Sequence, residues 1–404
     1  MARASASRAP ALAWMGALVL SALALAALGY QARDADSRLY SEIAARMAPL
    51  PVAQWIAPRF PPGWFMSGLF REHPVGIHLL PALLARLGYP ANQASLAVNG
   101  LYVALGLVLL QRLAARVVSE VEAQTLAFAA QLLPIAFTFR IRANHEAAVL
   151  LCILLALLGV EEARRRPAWG LAVVAGLVGL VLVKGVLVVM GFAACALWLL
   201  ARGQADPSAR NGRAWAAILA ALAAVGATAA VYEHLYRQAT GEPFWSFYLG
   251  RQLGVAAIEQ SAAGLSQKAY NLVWYLGRVL WFPFPWSLTL AAALVKRRSL
   301  APSGTDEGTR TGALFVACFT LLSVAAFSLS DRRADRYIFP VYAAVGAAGA
   351  VAALRAWPRL RSLAEKLDRR RAWAQAALWL ALFAAHILAG RFGLPTVKVW
   401  APDS

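Results

Sequence analysis

Long apolar runs separated by short polar segments follow one another along most of this chain. A helix that crosses a membrane needs about 20 apolar residues, or fewer where its ends lie in protein or in a cavity. The pattern predicts an all-α integral membrane protein with one polytopic domain over 1–390 and a short tail over 391–404. About eleven transmembrane helices are expected, over 11–30, 94–111, 123–139, 147–160, 168–183, 185–201, 214–231, 271–295, 312–329, 337–354 and 373–390.

One apolar stretch, 168–201, is too long for a single crossing and carries Lys184 near its middle. As one helix it would extend about 50 Å at 1.5 Å per residue, whereas the hydrocarbon core of a membrane is about 30 Å thick. We therefore predict two short helices that turn near Lys184 and Gly185, with the lysine at the outer face. A lysine that only reaches towards lipid headgroups is the alternative interpretation.

Two segments between the predicted spans are long enough to form structure of their own. Segment 31–93 contains an amphipathic stretch, 40–47, and a partly apolar stretch, 74–88, and both are expected to lie along the membrane interface. Segment 232–270 is rich in aromatic residues, which the aromatic belts of membrane proteins explain without any further function.

Composition supports the same class of protein. The chain is 60% hydrophobic, has a mean hydropathy of +0.58, and has only 15% charged residues, against about 25% in soluble domains. The formal charge of +19 is therefore attributed to arginines that orient helices and meet anionic lipid headgroups, and not to nucleic-acid binding. The three cysteines all lie inside apolar runs and are expected to be packing residues.

Basic residues are divided unevenly between the two sides of the predicted membrane. The segments on one side hold 21 of the 39 lysines and arginines in only 74 residues, and these segments are 1–10, 112–122, 161–167, 202–213, 296–311 and 355–372. Positive loops face the cytoplasm, so the N-terminus is predicted to be cytoplasmic. The first apolar run is longer than the core of a signal peptide and is interpreted as a retained helix, with cleavage as the less favoured alternative.

Three polar clusters fall on the side that is poor in arginine. They are Asp34-Ala35-Asp36, the stretch from Arg140 to Glu146, and the stretch from Ser328 to Tyr337. Ionisable residues at the membrane are expensive to place and are usually functional. Carboxylates, histidines and cations gathered on one side therefore predict a reaction site on the outer, periplasmic face.

The order of these motifs resembles that of the GT-C superfamily of polyprenyl-phosphate-sugar-dependent glycosyltransferases. The likeness is strongest to the branch, related to glycosyltransferase family 39, that holds the lipid A aminoarabinose transferase and the bacterial protein O-mannosyltransferase-like enzymes. It extends from the first helix to about residue 354. The motifs that carry it are Asp36, Tyr40, Glu42 and Ile43, then Arg71-Glu72-His73-Pro74, Arg140–Glu146, Lys184-Gly185, and Ser328, Arg332, Arg336, Tyr337 and Pro340.

The resemblance implies that Asp36 is the catalytic carboxylate of the first outer segment. A hydroxyl or amine that attacks an anomeric carbon must lose a proton, and a carboxylate within hydrogen-bond reach can accept it. Asp34 is the second candidate for this base, because neither spacing nor composition decides between the two. One of them is also well placed to cap the helix that begins near Ser37.

Two other clusters supply candidates for substrate binding. Glu72 and His73 stand where relatives have a Glu-Lys-Pro-Pro-like stretch, so the departure at position 73 weakens a phosphate-binding role there, although imidazole can still donate a hydrogen bond. Glu146 is interpreted as the second acid, with His145 as its competitor. A divalent metal held by some of these four residues ranks below simple hydrogen bonding, because their spacing matches no defined metal motif.

The leaving group of such a reaction is a lipid phosphate, whose negative charge fixed cations stabilise in the transition state. Arginine offers a two-pronged contact to phosphate oxygens and lysine a point charge. The alternative is that the last polar loop only connects two helices, its arginines neutralised by neighbouring aspartates. The candidate cations are Lys184, Arg142, Arg332, Arg333 and Arg336.

The sequence as a whole predicts a membrane glycosyltransferase of the bacterial inner membrane. It would move one sugar from a polyprenyl-phosphate donor to an envelope acceptor, with a glycolipid favoured over a protein because no soluble C-terminal domain is expected. A lipid or solute transporter or flippase is the alternative class. A transporter should carry polar residues along the middle of several helices, where this chain has mostly Ala, Leu, Val and Gly.

Overall fold

The computed structural model of the chain describes residues 8–31, 34–64, 66–206, 211–258, 263–296, 307–330, 333–366 and 371–392. These ranges are almost wholly helical, and their only β-structure is an isolated bridge between Arg59 and Leu69. The first nine α-helices are α1 Arg8–Leu28, α2 Ala35–Met47, α3 Gly76–Arg86, α4 Ala91–Ala114, α5 Glu120–Gln131, α6 Pro134–Phe139, α7 Glu146–Ala163, α8 Gly170–Lys184 and α9 Val188–Ala205. The others are α10 Gly212–Thr240, α11 Trp245–Ile258, α12 Ala263–Trp281, α13 Trp286–Lys296, α14 Glu307–Ser328, α15 Phe339–Ala356, α16 Pro358–Lys366 and α17 Arg371–Arg391.

Several of these helices are long and apolar enough to cross a membrane, so the protein is a multi-pass membrane protein. Within the described ranges there are six such stretches: 91–114, 167–205, 212–240, 307–328, 335–356 and 372–391. The bent pair α12 and α13 makes a seventh if it is counted as one broken span. The eleven spans expected from the sequence go beyond this number and stay a prediction. The predicted tail lies outside the described residues from position 393 onwards.

The stretch 167–205 folds back on itself, as the position of Lys184 predicts. Helix α8 ends at Lys184, a single 3₁₀ turn follows over Gly185–Leu187, and α9 begins at Val188. A Cβ on Gly191 of α9 would lie 2.8 Å from a methyl carbon of Leu177, which is possible only if α9 packs back against α8. Lys184 therefore sits at the tip of a helical hairpin.

Two predicted spans are broken where prolines interrupt them. The span predicted over 123–139 is divided into α5 and α6, because Pro134 has no backbone N–H and disfavours helical geometry at the residue before it. The span predicted over 271–295 bends by 102° between α12 and α13, where Pro283 and Pro285 follow each other closely. Each sequence prediction of one continuous helix was therefore wrong at these positions.

The second long segment is more helical than its loop-like sequence suggests. Helix α10 continues to Thr240, nine residues beyond the predicted end of that span, and α11 occupies much of the rest. This extension carries Tyr232 and Tyr236 into a buried aromatic cluster that also includes Phe70 and Tyr248. The cluster joins the two long segments, so the parts predicted as separate loops form one structure above the bundle.

Close packing of α7 against α8 sets the register of the functional residues. A Cβ on Gly176 would lie 2.6 Å from the carbonyl oxygen of Cys152, so only glycine allows this approach of the two helices. The helices are antiparallel, because Gly159, which follows Cys152 along α7, meets Val173, which precedes Gly176 along α8. The same register brings the first residue of α7, Glu146, opposite the last residue of α8, Lys184. We call this end of the bundle the site end.

The opposite end is stabilised by buried and partly buried ion pairs between helix termini. Arg202 of α9 contacts Glu161 of α7 at 2.7 Å, and Arg355 of α15 contacts Glu122 of α5 at 2.7 Å. Arginines that the sequence assigns only to orientation thus also connect neighbouring helices.

Candidate active site

The first polar cluster separates its two aspartates into different positions. Asp34 is the N-cap of α2, and its Oδ1 accepts a hydrogen bond from the backbone N–H of Ser37 at 3.0 Å. Asp36 lies in the first turn of the same helix and faces the interior of the site end. Capping by one of the two acids was expected, and the structure places Asp34 in that position.

Asp36 contacts the last polar cluster of the chain. The Nη1 of Arg336 donates a hydrogen bond to Oδ2 of Asp36. Arg336 lies on a 3₁₀ turn, Asp335–Ile338, that is itself held in place: Arg278 contacts Oδ1 of Asp335 at 3.0 Å, and the hydroxyl of Tyr342 donates to the Asp335 carbonyl at 2.9 Å. The guanidinium is therefore fixed beside the carboxylate.

A second carboxylate and a second cation stand next to this pair. The Nζ of Lys184 is 3.3 Å from Oε1 of Glu146, and both side chains are buried. The Nε of Arg336 is 3.9 Å from the same oxygen, so Arg336 lies between the two carboxylates. The ring of Tyr337, 5.6 Å from the Lys184 Nζ, covers the lysine from one side. Two cations and two carboxylates thus alternate in one small space.

Two imidazole rings and a phenol pack beside these charges. The rings of His73 and His145 are 4.3 Å apart, and the ring of Tyr40 is 4.7 Å from that of His145. Burial, together with the charge of Lys184, lowers the pKa of His73 well below its usual value, and burial with the neighbouring His73 does the same for the pKa of His145. Burial and the nearby Asp36 raise the pKa of Tyr40. All three side chains are therefore neutral at neutral pH.

These groups enclose a cavity of about 110 Å³, which we call the inner cavity. Four buried atoms at its wall, His73 Nδ1, Asn144 Nδ2, His145 Nε2 and Glu146 Oε2, have no hydrogen-bond partner among the described residues. Buried polar atoms are usually paired, so such atoms mark a place where a ligand or water binds. The lining residues are Asp36, Tyr40, Glu72, His73, Asn144, His145, Glu146, Lys184, Arg251, Gln252, Arg336 and Tyr337.

Three of the nominated residues that the structure describes do not line the inner cavity. Asp34 caps α2, and Arg142 is buried beside it with its Nε 3.8 Å from Asp34 Oδ2. Arg333 points away, with its guanidinium 4.6 Å from the ring of the exposed Tyr270. The prediction of a phosphate contact therefore finds no support in the position of Arg142 or Arg333. Arg332 lies outside the described residues.

The sequence did not nominate three of the lining residues. Arg251 of α11 contacts Glu72 Oε1 with its Nη2 at 2.5 Å, and Gln252 donates to the Glu72 carbonyl at 3.2 Å. Asn144 accepts a weak hydrogen bond from the Ser37 hydroxyl at 3.4 Å. An arginine in an outer segment was the only available signal for Arg251, because nothing in the sequence indicates that α11 lies over Glu72.

The carboxylates and imidazoles do not form a metal-binding group in the described residues. No three His, Cys, Asp or Glu side chains there are arranged so that they could hold one ion. The charged side chains instead pair with one another, carboxylate to guanidinium or ammonium. The arrangement is suited to accept a proton and to bind an anion in the same small space.

Comparisons with known proteins show what this helical bundle, with its carboxylates and cations at one end, is similar to. Residues 72–230 match the family described as dolichyl-phosphate-mannose-protein mannosyltransferase. No match was found among curated protein sequences. The family match covers 159 of the 404 residues and supports the resemblance to the GT-C superfamily.

Solved structures show the same fold. ArnT from Cupriavidus metallidurans bound to undecaprenyl phosphate is similar over 96% of this chain and 77% of its own, with a TM-score of 0.65 and 16% identity. Its apo state gives a TM-score of 0.63 at 16% identity, over 96% and 78% of the two chains. The Archaeoglobus fulgidus oligosaccharyltransferase, in complex with zinc and sulfate, gives 0.50 at 13% identity, over 91% and 53%.

Proposed function

We propose that this protein is a membrane glycosyltransferase that moves one sugar from a polyprenyl-phosphate donor to a cell-envelope acceptor. The donor is of the undecaprenyl-phosphate type, and a glycolipid is the favoured acceptor. The enzyme lies in the bacterial inner membrane with its N-terminus in the cytoplasm and its site on the periplasmic face. The family match and the ArnT-like fold support the class of reaction and the class of donor.

One observation carries the proposal: the inner cavity places a carboxylate, Asp36, beside a guanidinium, Arg336, and an ammonium, Lys184. Transfer of a sugar requires a base on one side of the anomeric carbon and positive charge on the other. Asp36 takes the first role and the two cations the second. Glu146 holds both cations in place through Oε1.

In the reaction, the acceptor hydroxyl or amine attacks the anomeric carbon while its proton passes to Asp36. The bond between the anomeric carbon and the phosphate oxygen breaks, and the electron pair leaves with the lipid phosphate. Lys184 and Arg336 stabilise the charge that develops on that phosphate. A phosphate in a largely buried site is stabilised more strongly by fixed cations than it would be in water.

Arg336 connects donor binding to the base. Its guanidinium donates a hydrogen bond to one oxygen of Asp36. A donor phosphate competes for the same N–H groups, since arginine binds phosphate and carboxylate in the same manner. When Arg336 turns to the phosphate, the Asp36 carboxylate becomes free to accept a proton from the acceptor. Donor binding thereby prepares the base.

The substitution Asp36→Asn tests the proposal, with Asp34→Asn as the matched control on the same helix. Asparagine caps a helix as well as aspartate does, so Asp34→Asn should keep near-normal transfer. Asp36→Asn should lower turnover about 10²- to 10⁴-fold, the usual contribution of a general base. The measurement is sugar transfer by purified enzyme in lipid nanodiscs.

Near-normal turnover in Asp36→Asn would contradict the assignment of the base. Binding of undecaprenyl phosphate without any sugar transfer, in the unsubstituted protein supplied with envelope acceptors, would favour the transporter or flippase alternative. Mass analysis of envelope glycolipids with and without the protein identifies the acceptor. An unchanged profile would direct attention to protein acceptors.

A further inference from the structure

A second, larger cavity adjoins the inner one at the site end. Its volume is about 1470 Å³, and we call it the outer cavity. Its walls are the C-terminal half of α2, the segment from Pro49 to Glu72, the end of α10 and the start of α11. An isolated bridge between Arg59 and Leu69 shapes one wall. The mechanism proposed above makes no use of this cavity.

The sizes of the two cavities assign them to different substrates. Ligand pockets for small molecules usually measure about 300–1,000 Å³. The inner cavity, at about 110 Å³, has room for a phosphate group but not for a glycan acceptor as well. The outer cavity is more than ten times larger and has room for the headgroup of a glycolipid or for a glycan.

The outer cavity has an excess of positive charge. Its charged lining residues are four arginines, at positions 46, 59, 71 and 251, and two glutamates, at positions 72 and 242. Both glutamates are already neutralised, because Glu242 contacts Arg71 at 2.5 Å and Glu72 contacts Arg251 at 2.5 Å. Arg46 and Arg59 are exposed and form no ion pair with any described residue. Two cations therefore remain for an anionic ligand.

The pair of Glu72 and Arg251 forms the boundary between the two cavities. Both residues line the inner cavity and the outer cavity. Their side chains are only about a quarter exposed, at 24% and 29%, and Gln252 holds the Glu72 backbone from α11. A molecule in the outer cavity that sends a hydroxyl or amine towards Asp36 must pass this pair.

We propose that the outer cavity is the acceptor site, that it takes an acceptor carrying an oxyanion such as a phosphate or carboxylate, and that the acceptor's nucleophile enters the inner cavity past Glu72 and Arg251. Arg46 and Arg59 bind the oxyanion and so fix the distance from it to the attacking atom. The inference rests on the proposed transferase function, since it assigns the second substrate of that reaction.

The test compares a double variant, Arg46→Gln with Arg59→Gln, against Arg38→Gln. Arg38 lies on the same helix as Arg46, is exposed, and does not line the outer cavity. Full-length protein in phosphatidylcholine nanodiscs is titrated with two phosphate probes, glucose 1-phosphate in solution and phosphatidic acid in the bilayer. Loss of two charge-assisted contacts should raise the dissociation constant about tenfold or more, and Arg38→Gln should leave it unchanged.

The two probes distinguish the sources of the oxyanion. An effect on phosphatidic acid alone indicates a lipid-anchored acceptor, whereas an effect on both probes indicates recognition of the phosphorylated glycan itself. If neither dissociation constant differs between the double variant and Arg38→Gln, the inference is overturned.

A steric variant provides a second measurement that does not depend on charge. Ala239 on α10 lines the outer cavity, and its neighbour Gln238 does not. Ala239→Trp fills the outer cavity and should weaken binding of the affected probe, while Gln238→Trp should not. Equal binding by the two variants would also overturn the inference.

Failure of this inference differs from failure of the proposed function. Undecaprenyl phosphate should bind the Arg46 and Arg59 double variant as it binds the unsubstituted protein, because its phosphate is assigned to Lys184 and Arg336. If substitution of Lys184 and Arg336 leaves undecaprenyl phosphate binding intact, the assignment of the donor site is wrong, whatever the outer cavity binds.

Discussion

Arg336 donates a hydrogen bond to Asp36 across 300 positions of sequence, so a cation from the last polar cluster holds the carboxylate of the first. Both side chains are partly exposed to the inner cavity, at 30% and 35%. The contact therefore lies where a substrate can reach and replace it. It also distinguishes Asp36 from Asp34, whose carboxylate is occupied by the α2 N-terminus.

Substitution of Arg336 should damage donor use more than stability. Arg336→Gln removes the cation shared by the donor phosphate and Asp36, so transfer should fall about 10²- to 10³-fold, as is typical when one group that stabilises developing charge is lost. Arg333→Gln is the control, because that arginine lies on the ring of Tyr270 instead. Kinetics with varied donor concentration measure the effect. Equal losses in both variants would contradict the role of Arg336.

Lys184 and Glu146 should be coupled in stability. Lys184→Met leaves the Glu146 carboxylate without its buried partner, which typically costs about 3–5 kcal/mol when one member of a buried pair is removed. The double substitution with Glu146→Gln should cost less than the sum of the single ones. Thermal unfolding of the four proteins in detergent forms the double-mutant cycle. Additive losses would show that the two residues do not interact.

Acidification should lower the free energy of unfolding of the protein, in part because His145 is buried in its neutral form. Its pKa is lowered in the folded protein by burial and by His73 and Lys184, whereas in the unfolded chain it titrates near about 6.5. Below that pH the unfolded chain binds a proton that the folded protein does not, so stability falls by up to about 1.4 kcal/mol per pH unit. Above about pH 6.5 His145 is neutral in both the folded and the unfolded chain, so this loss of stability is absent.

Thermal unfolding between pH 7.5 and 5.5 measures this effect. His145→Asn should reduce the pH dependence and leave the part that the buried His73 contributes, whereas His234→Asn, at an exposed position on α10, should not reduce it. A variant lacking His145 with the same pH profile as the unsubstituted protein would disprove the assignment.

Gly185 should not tolerate a side chain. Its φ is +34°, in the left-handed region, and an added Cβ would lie 2.5 Å from the Tyr248 ring. Gly185→Ala should therefore destabilise the protein and displace Lys184, lowering donor binding. Gly226→Ala is the control, because it has open space within 4 Å and helical geometry, and alanine there should be neutral or stabilising by up to about 1 kcal/mol. Thermal unfolding and undecaprenyl phosphate binding distinguish the two.

Hydrophobic periodicity predicted the helical membrane class and the hairpin at Lys184, because both follow from local length and polarity. The two broken spans were also readable in principle, since Pro134 and the pair Pro283 and Pro285 stand in the sequence. The extension of α10 was not readable, because its last turns are stabilised by an aromatic cluster with distant residues such as Phe70.

Motif order brought together most of the inner cavity, including Asp36, Glu72, Glu146 and Arg336, because the polar segments that hold these residues lie at the same end of the bundle. Motif order named Arg333, which does not line the inner cavity, and did not name Arg251, which does, and both differences have one reason. Sequence shows that a side chain is charged and predicts its side of the membrane, but the direction of the side chain depends on the neighbour that it contacts. The guanidinium of Arg333 lies over the ring of Tyr270, away from the inner cavity, whereas the guanidinium of Arg251 contacts Glu72 at the wall of that cavity.

The hairpin at Lys184 has a consequence for the lipid around the protein. Helix α8 has 15 residues and so extends about 22 Å, several ångströms less than a hydrocarbon core of about 30 Å. A short hydrophobic span is accommodated by local thinning of the bilayer. The headgroup layer would then be drawn inwards towards Lys184, which makes bilayer thickness a determinant of how easily a lipid phosphate reaches the cation that is to hold it.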